Sequence, residues 1–356
     1  MATETRQRRT LDPQHPLKGV SWNLLVSLVI LGAVVAYYIK HYGVGTQVIT
    51  TFLSVPPYLV VGMLLTQILY VVIQGGFFRS LYQALSQRRS LLFSSSLFLS
   101  MNLVNTVAPV VGLSGSYFMV SFERQRGMSR SVSVLINFLY YLIDYVVFLL
   151  VLVVGLWMLL LWGKITSTIL ITSLVFTVFV AAFVCAGLIL LSHPTALRRL
   201  LGWISRVGGR FSYRKRPIYA GAKVSRFVES AQEGWKDVYR GWSRLIEASG
   251  LALALHLTSI SLLMLAFYAA GYPAGLQVLV AGYTVGTLLN IVSITPGGIG
   301  FAEGGMTAVF VALKVPVEQA LVIALMYRTV FVWFTLLLGI PALHYLPRLS
   351  KEVSLE

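Results

Sequence analysis

Cysteine occurs once in this chain, and carboxylates occur only twelve times in 356 residues. Cys185 alone can form neither an internal disulfide nor a thiolate metal cluster. Charged residues of both signs make up 11%, less than half of the ~25% usual in soluble domains. Gly300 is not followed by Lys-Ser or Lys-Thr, and no His-Glu-x-x-His run occurs, so neither a phosphate loop nor a zincin helix is present. The five histidines, His15, His41, His193, His256 and His344, lie scattered, mostly at segment ends, as interfacial residues do. No cofactor site, metal ligand set or nucleophile–base pair is legible, and the expectation is a protein that is not an enzyme.

What the chain has is apolar length. Hydrophobic residues reach 57%, with a mean hydropathy of +0.80. Six stretches match the ~20 residues that a spanning helix needs: 21–40, 53–76, 130–158, 165–191, 248–271 and 317–346. Two more apolar pieces, 91–122 and 275–314, are interrupted by Pro and Gly. Each is either a re-entrant hairpin or a pair of short spanning helices. The expected fold is therefore an all-α polytopic membrane protein with six full spans and two broken hairpins. Arg6, Arg8 and Arg9 precede a first apolar stretch without a small-residue cleavage site, which reads as a retained helix.

The net charge of +16 sits in tails and loops, where cytoplasmic segments meet anionic headgroups; nucleic acid is not implied. Arginines in the N-terminal tail, at 79–89, at 124–130, in the loop 193–247 and at 348 place all of these inside. The expected organisation is a basic tail (1–20), one membrane domain (21–346) with an inserted loop (193–247), and a C-terminal tail (347–356). Both termini are then cytoplasmic, in the cell (inner) membrane. In the loop, two basic amphipathic stripes, from Leu197 to Phe211 and from Phe227 to Leu245, suit either a headgroup plane or the bundle's own cytoplasmic face.

A gapless shift of 187 residues sets Pro109 on Pro296 and Tyr140 on Tyr327. Each copy then reads span, broken piece, span, over 53–158 and 248–346. With the loop assignments above the copies have opposite topology, a plan typical of transporters. Chance similarity between apolar segments is the other reading of so weak an identity.

Candidate functional residues follow from depth and from the breaks. Asp144 and Glu303 are the acidic residues well within apolar segments, and Arg328 is the clearest basic counterpart. Glu303 and Arg328 form either a structural pair or a headgroup contact. Asp144, after Tyr140 and Tyr141, reads as a hydrogen-bonded carboxylate on the helix that mirrors the one carrying Tyr327. Pro296 ends a half-helix, and Gly297, Gly298 and Gly300 permit backbone forms closed to other residues. The half-helix beyond them presents unpaired N–H groups to an anion. The matching turn holds Asn105, Pro109, Ser114 and Ser116, with hydroxyls where the second has a carboxylate. Asn102, Asn105 and Asn290 either cap broken ends or contact a substrate.

These elements resemble the lysylphosphatidylglycerol synthase transmembrane-region family of flippase-like membrane proteins. The match rests on Asn105-x-x-x-Pro109, on Arg126-Gly-Met-Ser129, on Thr295-Pro-Gly-Gly-Ile-Gly-Phe-Ala-Glu303 and on Arg328, across about 20–346. Ser114 and Ser116 stand where many relatives carry a charge. The resemblance implies movement of a lipid or lipid-linked headgroup, anionic or polar, between leaflets. It also implies a stand-alone member, because only about ten residues follow the last span instead of an aminoacyl-transferase domain. The alternative is a non-transporting scaffold that holds an envelope-lipid biosynthetic enzyme through the basic loop.

Overall fold

The computed structural model describes residues 50–51, 53–107, 114–161, 167–193, 240–293 and 295–352, with single positions between 195 and 238. Among these residues the chain is helical and contains no strand. The order is α1 (Pro57–Ala84), α2 (Leu91–Val107), α3 (Ser114–Arg124), α4 (Arg130–Leu161) and α5 (Ser167–Ser192). Then come α6 (Trp242–Ala269), α7 (Leu276–Val292), a single 3-10 turn (Pro296–Gly298) and α8 (Phe301–Ala312). The last rod is α9 (Val317–Arg328), a π turn (Thr329–Phe334) and α10 (Thr335–Glu352).

Local chemistry sets these limits. Proline at the first turn of α1 gives up no hydrogen bond, and left-handed Ser86 (φ 56°) and Gly271 (φ 67°) follow the ends of α1 and α6. Four helices are long and apolar enough to cross a membrane: Pro57–Ala84, Arg130–Met158, Trp242–Ala269 and Val317–Leu349. They coincide with four of the six expected spans. The stretch 165–191 falls on α5, an apolar helix of 26 residues. The stretch 21–40 lies outside the described residues.

One boundary differs from expectation. α6 starts at Trp242 rather than 248, so the end of the basic loop is the first turn of a long helix. Trp235, Val238 and Leu245 from the second stripe pack against the core formed by α1 to α4. Gly241 lets this entry come close: a Cβ there would stand 2.5 Å from the Ala84 carbonyl oxygen. The bundle itself therefore takes at least this part of the stripe. The first stripe lies almost wholly outside the described residues.

The two halves share one register. Adding 187 carries α1 to 244–271, beside α6, and α2 to 278–294, beside α7. It carries α3 to 301–311, on α8, and α4 to 317–348, on α9 through α10. Packing follows the same exchange. α1 lies along its own counterpart α6, α2 lies against α10, and α7 lies against α4. Such reciprocal contacts are what a pseudo-two-fold axis between two copies produces.

The burial pattern suits a lipid solvent. Leu65, Leu69, Leu150, Trp157, Ile171 and Leu174 are exposed on the outside. Gln67, Gln74, Ser100, His256 and Thr307 are buried within. Hydroxyls along these helices donate to carbonyls four residues back, as Ser100 does to Ser96 and Thr307 to Glu303. Between helices, Gln67 Nε2 donates to Thr335 Oγ1 at 2.7 Å, tying α1 to α10.

Candidate functional site

The broken segment of the second copy is held from both sides. Gly297, Gly298 and Gly300 all take left-handed φ, at 62°, 68° and 90°. Thr295 stitches the turn by donating from Oγ1 to the Ile299 carbonyl at 2.9 Å. Glu303, in the first turn of α8, reaches back to accept the Gly300 N–H at 2.7 Å, one half of a capping box. Its other oxygen accepts from Arg328 Nε at 2.9 Å. Arg328 Nη2 donates to the Gly297 carbonyl. One guanidinium on α9 thus binds both the carboxylate and the backbone of the break. Both side chains are almost fully buried, at 4% and 2% exposure.

The break of the first copy spans residues that include Pro109 and lie outside the described part. Its two ends are visible. Asn105 on α2 accepts the Gly115 N–H at 2.7 Å, which caps the start of α3. Gly115 permits the close approach, since a Cβ would meet the Met101 carbonyl oxygen at 2.5 Å. Ser114 is buried, and Ser116 shares a 3.3 Å hydrogen bond with Tyr141. The end of α2 also packs on the 3-10 turn, with Thr106 close to Gly297.

A cavity of about 310 Å³ lies where these elements meet. Among the residues singled out in the sequence, Asn102, Asn105, Tyr140, Asp144, Asn290, Tyr327 and Arg328 line it. Glu303 and Ser116 do not line it directly; each bonds a residue that does, Arg328 and Tyr141. Gly297 and Gly300 shape the turn that Arg328 and Glu303 grip, and Pro296 opens it. Gly298 presses on Asn290, where a Cβ would fall 2.3 Å from Oδ1.

Three polar features escape the sequence reading. His256 is not an interfacial residue: it is buried in α6, lines the cavity and bonds Tyr283 through Nδ1 at 2.6 Å. Its Nε2 faces Asp144 Oδ1 at 3.7 Å. Glu123, near the end of α3, is like Glu303 a fully buried carboxylate, accepting from Tyr82 and from Arg89 at 2.7 Å each. Tyr70 brings α1 into the cavity wall. The available signal was spacing: Gln67, Tyr70 and Gln74 follow helical periodicity within an apolar span, and so do His256 and Ser259.

Eight phenol or phenyl rings meet in the wall, with Tyr327 stacked on Phe331 at 5.4 Å and Tyr70 edge-on to Phe331 at 5.3 Å. Amides, hydroxyls and one carboxylate share it with these rings. Such a wall can hold a polar group beside apolar chains. No group of three or more His, Cys, Asp or Glu suited to a metal occurs among the described residues.

The family model described as the lysylphosphatidylglycerol synthase TM region matches residues 24–339. A search of curated proteins finds no significant match.

Proposed function

The chain belongs to the lysylphosphatidylglycerol synthase transmembrane-region family, and from that premise we propose that it carries a lipid or lipid-linked headgroup between membrane leaflets. On this reading α2–α3 and α7–α8 are re-entrant hairpins that enter from opposite faces. At ~1.5 Å per residue, α3 and α8, with 11 and 12 residues, reach about 17–18 Å, short of a ~30 Å hydrocarbon core. Irregular backbone at that depth persists only where protein buries it or a wet cavity adjoins it. The observation that carries the reading is the convergence of α2, from the first broken pair, and of α7 and α8, the second, on one polar cavity.

The headgroup would pass through this cavity while the acyl chains stay in the bilayer. Glu303 and Arg328 hold one wall by fixing the turn, and amides beside the breaks contact the substrate. The protein acts as a carrier rather than an enzyme, in the cytoplasmic membrane with both termini inside. The test is a leaflet assay in proteoliposomes with acyl-labelled phospholipids. Purified chain is expected to expose inner-leaflet label at least about tenfold faster than empty vesicles, and Glu303→Gln and Arg328→Ala to slow it. Vesicles that keep their label inside with every lipid tried would sink the reading.

A further inference from the structure

One charge in the cavity has no ionic partner that matches it. Glu303 and Arg328 neutralise each other, and the guanidinium is also committed to the Gly297 carbonyl. Among the described residues Asp144 forms no ion pair with lysine or arginine. Its one neighbour of that kind is His256, whose Nε2 stands 3.7 Å from Oδ1, beyond hydrogen-bond reach.

His256 is turned toward this gap. Its ring is buried, Nδ1 is held by the Tyr283 hydroxyl at 2.6 Å, and the buried Nε2 has no hydrogen-bond partner among the described residues. When Nδ1 carries the ring proton and donates to Tyr283, Nε2 presents a lone pair. Two acceptors 3.7 Å apart then face the cavity together. A single donor nitrogen fits between them at the usual ~2.9 Å from each.

The surrounding rings point to the same chemistry. Tyr70, Tyr140, Tyr145 and Tyr283 lie within electrostatic range of Asp144 and line the cavity with it. Aromatic faces attract cations, and aromatic cages with a carboxylate are the usual receptors for alkylammonium groups. Part-exposed to the cavity, and with no lysine or arginine paired to it among the described residues, Asp144 lacks a matching counter-charge. An anion at this end would meet a carboxylate and the negative faces of the rings.

We propose that Asp144, His256 and the tyrosines around them form a subsite for an alkylammonium cation, as an ethanolamine-type phospholipid headgroup carries. The proposal rests on the transport reading for its role but not for its existence. The sequence-based expectation of an anionic or polar headgroup is thereby narrowed to one that bears an amine. Its phosphate would lie toward the amides of Asn102 and Asn290 beside the two breaks.

The test is a titration of the full purified chain in detergent, read by native mass spectrometry. Phosphatidylethanolamine and phosphatidylglycerol with identical acyl chains are compared. The wild type is expected to bind the ethanolamine lipid at least about tenfold more tightly, the usual worth of one charge-assisted contact. Asp144→Asn, which keeps the side-chain shape, is expected to remove that preference, and His256→Gln to reduce it. Displacement by free ethanolamine would show that the ammonium suffices. A preference that free ethanolamine does not challenge would assign the subsite to the whole lipid headgroup. Equal or tighter binding of phosphatidylglycerol by the wild type overturns the proposal without any variant. So does an Asp144→Asn protein that keeps the preference. Selective binding with no leaflet movement would keep the subsite and reject the transport reading instead.

Discussion

Ser116 and Tyr141 share a hydrogen bond at the two positions that Glu303 and Arg328 occupy in the second copy. Adding 187 to 116 gives 303, and adding it to 141 gives 328. The same two helix faces therefore meet in both halves, through a neutral bond of 3.3 Å in one and a buried ion pair of 2.9 Å in the other. The geometry of the copies is alike, and their electrostatics are not. The fixed charges of the cavity wall belong to Arg328 from the second copy and Asp144 from the first.

That correspondence makes a prediction by transplantation. Ser116→Glu alone places an unpaired carboxylate against Tyr141, and Tyr141→Arg alone places an unpaired guanidinium beside Ser116. Each single variant is expected to be destabilised, by less than the ~3–5 kcal/mol of a fully buried lone charge because both positions are only part-buried. The double variant should recover most of that loss. Thermal unfolding of the four proteins in detergent measures the coupling; additive losses would show that the two sites are not equivalent.

Glu303 and Arg328 themselves are expected to behave as a unit. Removing either charge strands the other at 4% exposure or less, and about 3–5 kcal/mol of stability should go with it. Glu303→Gln combined with Arg328→Met is expected to be more stable than either single change. Arg328→Lys should recover little, because an ammonium cannot meet Glu303 and the Gly297 carbonyl with one planar fork. Unfolding midpoints for the four variants decide this; an additive double variant would mean that the charges are not coupled.

Much of this arrangement was legible before any coordinate. Proline and glycine in an apolar run mark a break in a way that few other residues can, and a glutamate or arginine inside such a run stands out by its cost. The Pro109–Pro296 register predicted which helices are copies, and the element boundaries follow it. His256 was missed for a physical reason. In a lipid-facing bundle, leucines cover both the inside and the outside of a helix, so hydropathy does not tell which face a lone histidine occupies. Leu257 is exposed and Leu255 is buried, although both flank His256 and carry the same side chain. Glu123 was missed because it ends an otherwise apolar half-helix beside Arg124 and Arg126, where a solvated surface charge is the ordinary expectation.

The glycine turn gives a contrast between strain alone and strain with a clash. Gly298 and Gly127 are both left-handed, at φ 68° and 86°. A Cβ on Gly127 meets nothing within 4 Å, whereas one on Gly298 falls 2.8 Å from the Asn290 Cα. Gly127→Ala is expected to lose only about 1–2 kcal/mol, from the left-handed backbone. Gly298→Ala should lose clearly more and displace α7 from the turn. Unfolding midpoints of the two variants measure the difference, and equal losses would contradict the tight packing at Asn290.

Two glutamate–arginine pairs of equal length but unequal burial give the last prediction. Arg89–Glu123 and Arg244–Glu247 both close at 2.7 Å. Glu123 is fully buried and also accepts from Tyr82, while Arg89 stacks over the Phe93 ring at 5.1 Å. Arg244 and Glu247 are about half exposed, at 48% and 45%. Water can replace the partner of an exposed charge but not of a buried one. Glu247→Gln is therefore expected to lose no more than about 1 kcal/mol. Glu123→Gln leaves a largely buried guanidinium without its counter-charge and is expected to lose about 3–5 kcal/mol. Because Glu123 joins α3 to the α1–α2 connection, that loss should loosen the first broken pair before the second. Hydrogen exchange on the two variants tests this: early exchange in α3 is expected for Glu123→Gln alone, and uniform exchange across both halves would contradict the assignment.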